Sequence, residues 1–126
     1  MSLCVVNYYD TRNKYLSSVL FDSDVDAMEE LESNNYYMKK WGNYYNDETQ
    51  KYAVIEKCIR NIRYSANNSN DELKCFVLFS RERYKEEYSK DFVSAYISDE
   101  AGVKKLINEL YSVDDFNNLI YSYEVI

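Results

Sequence analysis

Two copies of one pattern organise the sequence, and each copy has two short apolar runs followed by a helix start. The runs of the first copy are LCVVNYY and YLSSVLF, at residues 3–9 and 15–21, and those of the second are LKCFVLF and FVSAYI, at 73–79 and 92–97. β-Branched and aromatic runs that are separated by polar turns are typical of antiparallel hairpins. The pattern therefore predicts two ββα units at an offset of 71 to 75 residues, which suggests an internal duplication.

The helix of each unit has an N-terminal signal and an apolar stripe. Ser23 is a predicted N-cap, with Asp24 and Asp26 in the first turn, where acidic side chains are favoured. Ser98-Asp99-Glu100 occupies the equivalent place in the second unit. The apolar stripes have the spacing of amphipathic helices, and they consist of Val25, Met28 and Leu31 in the first helix and of Val103, Leu106, Ile107 and Leu110 in the second.

Two further segments complete the prediction. Residues 48–64 carry Tyr52, Ile55, Ile59 and Ile62 at intervals of three and four, which predicts a long helix, and residues 119–126 (LIYSYEVI) are typical of a strand. The order ββαα-ββαβ predicts an α+β fold with an antiparallel sheet of about five strands and helices on one face. We expect a single domain over 1–126, with unit one at 1–64, a loop at 65–71 and unit two at 72–126.

The absence of histidine excludes several classes of chemistry. Histidine is the usual general base near neutral pH and a common metal ligand, so Ser-His-Asp, Cys-His and His-ligated zinc sites are excluded. Cys4, Cys58 and Cys75 show no CxxC spacing and follow no signal peptide, which predicts reduced thiols in a cytoplasmic protein. The segment DSDVD lacks the central Gly and the twelfth-position Glu of a calcium loop. We expect no enzyme activity, no metal and no cofactor.

The net charge of −7 is unevenly distributed. Residues 1–35 carry 2 basic and 7 acidic groups, residues 36–90 carry 11 and 8, and residues 91–126 carry 2 and 7. An acidic chain disfavours non-specific binding to DNA or anionic lipid and favours partners with basic surfaces. The first helix concentrates carboxylates, which form either a solvated face or a docking face for a basic partner: Asp22, Asp24, Asp26, Glu29 and Glu30.

Tyrosine is unusually frequent, at 15 of 126 residues, and it occurs in doublets. The densest segment, YYMKKWGNYY at residues 36–45, surrounds Gly42. Tyrosine and tryptophan dominate binding hot spots, so this segment is either a binding surface or a loop that closes one end of the core. Its candidate partner-binding residues are Tyr36, Tyr37, Trp41, Tyr44 and Tyr45.

Three functions fit these observations. In its size, acidity, lack of histidine and AT-rich coding (Gly, Ala, Arg and Pro total 12), the chain resembles phage- or mobile-element-encoded inhibitors such as anti-CRISPR and DNA-mimic proteins. That resemblance implies a protein partner with a basic, nucleic-acid-binding surface, and it assigns no residue roles. An immunity protein against a basic nuclease toxin would use the same physics.

The third function is binding of single-stranded nucleic acid. Aromatic side chains would stack the bases, and the basic groups of the middle segment would follow the backbone: Lys39, Lys40, Arg60, Arg63, Arg81 and Arg83. The net charge makes this the weaker prediction. The sequence indicates no membrane association, and it leaves a monomer and a homodimer both open.

Overall fold

A computed structural model describes residues 3–39, 42–61, 73–86, 89–113 and 118–126. The α+β prediction is confirmed, since the chain has two helices and two mainly antiparallel sheets. The residues cluster into two compact units, Met1–Cys58 (unit 1) and Ile59–Ile126 (unit 2). Neither helix in these ranges has the length and apolar character needed to cross a membrane. The predicted loop at 65–71 lies outside the described residues.

Unit 1 contains a five-stranded sheet, sheet 1, and one helix. Its elements are β1 (Cys4–Tyr9), β2 (Tyr15–Phe21), α1 (Asp24–Ser33), β3 (Tyr37–Met38), β4 (Tyr44–Tyr45) and β5 (Tyr52–Lys57). The strand order is β2-β1-β5-β4-β3, and all neighbouring strands are antiparallel. The two predicted strands of the first hairpin are therefore confirmed, and β1 lies between β2 and the returning strand β5.

Unit 2 contains a four-stranded sheet, sheet 2, and one helix. Its elements are β6 (Ile59–Arg60), β7 (Lys74–Glu82), β8 (Asp91–Ser98), α2 (Glu100–Val113) and β9 (Leu119–Val125). The strand order is β6-β8-β7-β9, in which β6 pairs parallel to β8 and the other pairs are antiparallel. The second hairpin, its helix and the last strand are therefore where the sequence predicts them.

Helix α1 begins and packs largely as its sequence indicates. The Ser23 side chain accepts a hydrogen bond from the Asp26 N–H at 3.1 Å, which confirms the N-cap. Ala27 and Leu31 are fully buried against Cys4 and Val6 of β1. The predicted stripe is wrong at Val25, whose exposed fraction is 57%. The helix instead contacts the sheet through Ala27 and Leu31, and the predicted Met28 packs at the margin of the same cluster.

Helix α2 confirms its predicted stripe at Val103, Ile107 and Leu110, whereas Leu106 is half-buried and lies outside the core cluster. Val103 and Ile107 are buried against Phe76 and Leu78 of β7, and Leu110 packs at the margin of the same cluster. Because side chains alternate along a strand, Phe76 and Leu78 define the face of β7 that is directed toward α2.

The two units repeat one topology, β-β-α-β, in which the last strand pairs antiparallel with the first. The repeat consists of β1, β2, α1 and β5 in unit 1 and of β7, β8, α2 and β9 in unit 2. Each hairpin also contains one irregularity of register. Leu16 of β2 has no opposite residue on β1, and Val93 of β8 has no opposite residue on β7. The buried helix residues Ala27 and Leu31 correspond to Val103 and Ile107, at an offset of 76 residues.

The offset of 71 residues aligns Cys4 with Cys75 in the sequence, and the structure corrects this alignment. Cys4 belongs to the core cluster under α1, whereas Cys75 alternates with Phe76 and lies on the face of sheet 2 directed away from α2. The two cysteines are therefore not equivalent. Both are buried and unoxidised.

The predicted helix over 48–64 is wrong, because Tyr52–Lys57 forms β5 and Ile59–Arg60 forms β6. β5 pairs with β1 on one edge and with β4 on the other, and its side chains alternate between the two faces of the sheet. Ala53 and Ile55 of β5 face the α1 core, and Tyr52 and Val54 face the other side. Residues 62–64 lie outside the described ranges.

A buried polar network fixes the start of α2. The Gly102 N–H donates to Asp99 Oδ1 at 2.7 Å, and Asn61 Nδ2 donates to Ser98 Oγ at 3.1 Å. Ser98 and Asp99 are almost completely buried. A Cβ on Gly102 would lie 2.6 Å from Ser98 Oγ and 2.9 Å from Asp99 Oδ1. A side chain at position 102 would therefore displace Ser98 Oγ and Asp99 Oδ1 from their places in the network.

We predict that Gly102→Ala lowers the free energy of unfolding by about 1–3 kcal/mol, because the new methyl group displaces hydrogen-bonded side chains in a packed site. Urea denaturation of both proteins measures the difference. Lys105→Ala, at an exposed position of the same helix, is the control and should change stability by less than about 0.5 kcal/mol. An unchanged or raised stability of Gly102→Ala would show that the network rearranges freely.

Candidate functional site

Five tyrosines form a line across sheet 1, one from each strand. The register places Tyr9 opposite both Tyr15 and Tyr52, Tyr52 opposite Tyr45, and Tyr45 opposite Tyr37. Residues that lie directly opposite each other in neighbouring strands share one face of the sheet. We call this set the tyrosine row, and its order across the sheet is Tyr15, Tyr9, Tyr52, Tyr45 and Tyr37.

The tyrosine row lies on the face of sheet 1 directed away from α1. Tyr8 and Ala53 belong to the core cluster under the helix. Tyr9 and Tyr52 are their neighbours along β1 and β5, so alternation places both on the opposite face. Tyr37 is 55% exposed, and the other four members of the row are partly exposed.

Ring stacking holds the central members of the row in place. The ring centroids of Tyr9 and Tyr52 are 4.9 Å apart with an interplanar angle of 11°, and those of Tyr45 and Tyr52 are 5.7 Å apart at 29°. Tyr15 meets Tyr9 edge-on at 6.1 Å. Each such pair contributes about 0.5–1.5 kcal/mol beyond the area that it buries. The row is therefore ordered before any partner binds.

A small polar cluster lies at the β2 end of the row. Ser18 Oγ donates to Asn7 Oδ1 and also hydrogen-bonds the Tyr15 hydroxyl. Asn7 is completely buried, and its Nδ2 has no hydrogen bond of normal geometry to the part of the chain that the structure describes. Because Asn7 and Tyr9 alternate with Tyr8, both lie on the face that carries the row.

The other end of the row carries a cation. Lys39 Nζ lies 5.8 Å from the centroid of the Tyr45 ring and forms an ion pair with Asp47. Both charged groups are well exposed to solvent, so the ion pair contributes little to stability. The contact shows that a cation can reach the Tyr45 ring.

Carboxylates lie near two members of the row, Tyr52 and Tyr9. Burial raises the pKa of Tyr52, and Tyr45 and the carboxylate of Asp10 raise it further. Burial also raises the pKa of Tyr9, to which Glu56 adds, while the Asn7 side chain partly offsets the shift. Both hydroxyls therefore stay neutral at physiological pH and can donate hydrogen bonds. The nearby acidic groups favour a ligand that carries positive charge.

The predicted acidic residues lie on a different surface. Asp24, Asp26, Glu29 and Glu30 are exposed on α1, and Asp22 is exposed just before it. Because α1 packs on the face of sheet 1 opposite the tyrosine row, the acidic residues and the row cannot contact one flat surface together. Unit 1 therefore presents two separate candidate surfaces.

The residues predicted within 36–45 divide between core and surface. Tyr36 and Tyr44 are 8% and 3% exposed and pack in the α1 core, where Tyr36 meets Tyr8 edge-on at 5.7 Å. They are therefore unavailable to a partner, which corrects their place in the predicted surface. Tyr37 and Tyr45 alternate with them and belong to the row. Trp41 lies outside the described residues.

Three members of the row were missed by the sequence prediction: Tyr9, Tyr15 and Tyr52. The Tyr8-Tyr9 doublet predicts one outward tyrosine on β1, but the sequence does not say which one. Tyr52 was assigned to a helix, and that assignment removes it from the sheet. The short aromatic and β-branched run at residues 52–55 (YAVI) is the signal that could have placed it in a strand.

Outside the row, the described residues offer little reactive chemistry. Burial raises the pKa of Cys4, which disfavours its thiolate. No group of three or more Cys, Asp or Glu side chains in the described ranges is placed to hold a metal ion. In unit 2, an open groove of about 460 Å³ runs beside β9 and is lined by Lys104, Ile107, Asn108, Tyr121, Ser122 and Tyr123.

No protein-family model, no curated protein and no solved structure matches the chain.

We predict that the free energy of unfolding falls as pH rises above about 10, the ordinary tyrosine pKa. Tyr8, Tyr9, Tyr44 and Tyr52 have raised pKa values, each chiefly because of burial. Above pH 10 the unfolded chain releases protons that the folded chain retains, so stability decreases there; at lower pH both states are protonated and these groups add no pH dependence. Urea denaturation across this range measures the slope.

The Tyr52→Phe variant tests the assignment, since it keeps the ring but removes the titrating hydroxyl. Its stability should decrease less steeply with pH than that of the unmodified chain. Equal stability of the unmodified chain at pH of about 8 and about 11 would contradict the prediction.

Proposed function

We propose that this chain is a non-catalytic binding protein that holds a basic partner surface against the tyrosine row. The observation that carries the proposal is the row itself: five tyrosines in register across five strands, all at least partly exposed, of which the central three are stacked on one another. A soluble core does not need such an arrangement, because half-exposed rings bury less area than core positions would provide.

The geometry of the row suits tight binding. Tyrosine offers a large apolar face with few rotatable bonds, so it loses little conformational entropy when a partner binds. Stacking between Tyr9, Tyr52 and Tyr45 removes part of that entropy in advance. The neutral hydroxyls add directional hydrogen bonds at the edge of each ring. These are the properties of residues that dominate interface hot spots.

The charge around the row favours a basic partner. Asp10 and Glu56 act electrostatically on Tyr52 and Tyr9, and Lys39 is already paired with Asp47. An arginine side chain would stack on a tyrosine face while its guanidinium reached a carboxylate, whereas lysine offers only a point charge. The proposed partner surface is therefore rich in arginine.

The biological setting that we propose is inhibition of a host or defence protein that binds nucleic acid, with the chain encoded by a phage or a mobile element. An immunity protein that neutralises a basic nuclease toxin would use the same surface. In both cases carboxylates and tyrosines would occupy a groove that otherwise accepts phosphates and bases.

Binding of single-stranded nucleic acid is the second candidate, because bases stack on exposed tyrosines. The basic groups do not support it well. In sheet 2, Arg60 lies beside Ile97 at one end of β8, whereas Arg81 follows Ser80, which pairs with Asp91 at the other end. In unit 1, the charges that act on the row are mainly acidic. Lys40 and Arg63 lie outside the described residues.

We predict that Tyr37→Ala combined with Tyr45→Ala weakens binding to an arginine-rich peptide by about 2 kcal/mol or more, as removal of hot-spot side chains does. Isothermal titration calorimetry measures the affinity, and tyrosine ring NMR signals locate the contact. Tyr84→Ala, which removes an 85% exposed tyrosine outside the row, is the matched control and should bind as the unmodified chain does.

Two probes separate the candidates. A lysine-rich peptide of equal charge should bind more weakly than the arginine-rich one, and an oligothymidylate should bind least. Equal loss of binding in Tyr84→Ala, or a preference for oligothymidylate over both peptides, would refute the proposal. Affinity capture from the native host, with the double variant as a negative control, then identifies the partner.

A further inference from the structure

The outer strand β2 is an open sheet edge without the usual protection. Its seven residues, YLSSVLF, contain no charge and no proline, and Leu16, Val19 and Leu20 are 42%, 43% and 36% exposed. Proteins normally protect such edges with lysine, proline or very short strands. Among the other described edges, β3 and β6 have only two residues each, and β9 carries Glu124. An uncharged edge of this length is therefore a candidate interface.

Hydrogen-bond alternation shows which backbone groups of β2 face outward. The Cys58 N–H donates to the Leu3 carbonyl, so the backbone of Leu3 hydrogen-bonds toward β5. Because the direction alternates along a strand, the backbone groups of Val5, Asn7 and Tyr9 also point toward β5. Those of Cys4, Val6 and Tyr8 point toward β2. The partners of these last three residues are Phe21, Val19 and Ser17. Ser18 and Leu20, which lie between them, therefore direct their N–H and C=O groups to the open edge.

The side chains of β2 are self-complementary about Ser18. Counting outward from that residue, Ser17 corresponds to Val19 and Leu16 to Leu20. An antiparallel pair of two identical strands with Ser18 opposite Ser18 would place leucine opposite leucine, whereas the irregularity at Leu16 directs Tyr15 to the row face and Phe21 to the α1 face. Such a pair has two-fold symmetry, which is the commonest symmetry of protein dimers.

We propose that β2 pairs antiparallel with β2 of a second copy about a two-fold axis at Ser18, which joins two five-stranded sheets into one of ten strands. The outward N–H and C=O groups of Ser18 bond those of its copy, and Leu20 bonds the backbone at Leu16 of the other chain. Because β2 contains no charged residue, the two paired strands have no like charges opposite each other. Partner selection rests on the matched leucines.

The acidic helix sets the strength of the dimer. A two-fold axis perpendicular to the sheet places both copies of α1 on the same face, where their exposed carboxylates repel each other. Three partly exposed apolar side chains per copy also bury less than the roughly 1,000 Å² of a stable interface. The dimer is therefore weak and becomes more populated as salt screens the repulsion. Binding of a basic partner has the opposite salt dependence.

Sedimentation equilibrium of the purified chain tests the proposal. The average mass should rise from 15.1 kDa toward twice that value with concentration. It should rise further between about 0.1 M and about 1 M NaCl, as the Debye length falls from about 10 Å to about 3 Å. A chain that stays monomeric at high concentration and high salt would overturn the proposal.

Variants locate the interface. Leu16→Lys combined with Leu20→Lys should raise the dissociation constant by at least about tenfold, because lysines then lie opposite each other across the axis. Val93→Lys is the matched control, since Val93 is the extra residue of β8 as Leu16 is of β2 and is equally exposed, and it should still dimerise. Thermal melts should show both variants folded.

Hydrogen exchange provides a readout that does not depend on any variant. The Ser18 and Leu20 amides should gain protection with protein concentration, whereas the Val19 amide, which already bonds toward β1, should not change. Dimerisation that survives the double lysine variant, or that leaves the Ser18 amide unprotected, would place the interface elsewhere and refute the proposal.

Discussion

The position of the first strand in each unit determines the rest of the structure. β1 and β7 each lie between a hairpin partner and a returning strand, so both edges of each strand are hydrogen-bonded, and the residues at 4–7 and 75–79 are buried on both faces. In unit 1, Cys4 and Val6 contact the helix, while Val5 and Asn7 are buried on the opposite face. Because a one-residue slip would exchange the two faces, the register of β1 decides which tyrosines are buried and which are presented.

The irregularity of register in each hairpin shows how the row is built. In unit 1 it leaves Leu16 extra, so that Tyr15 rather than Leu16 lies opposite Tyr9. In unit 2 the same device leaves Val93 extra and places Phe92 opposite Phe79. Phe79 and Tyr9 thus occupy equivalent positions in the two units, but Phe79 is a buried core residue and Tyr9 is partly exposed.

The sequence predicts most of the fold because its strongest signals are local. Apolar runs, polar turns and the Ser23 cap are read within a few residues, and the hairpins and helices that follow from them are confirmed. The error at 48–64 arises because Tyr52 and Ile55 also fit a helical spacing, and the pairing with β1 and β4 decides for the strand. Tyr36 and Tyr37 likewise separate into core and surface only once β3 is known to be a strand.

The two proposed interactions are compatible, because they use different parts of sheet 1. Edge pairing through β2 consumes backbone groups at the rim and leaves both faces of the sheet open. A two-fold axis perpendicular to the sheet keeps the two tyrosine rows on one face and the two acidic helices on the other. A dimer would therefore present two rows to one extended basic partner, and linked sites can raise the overall affinity by about 10²- to 10⁴-fold without any new contact. A weak dimer would suffice for this effect, since binding of a two-site partner would itself stabilise the dimer.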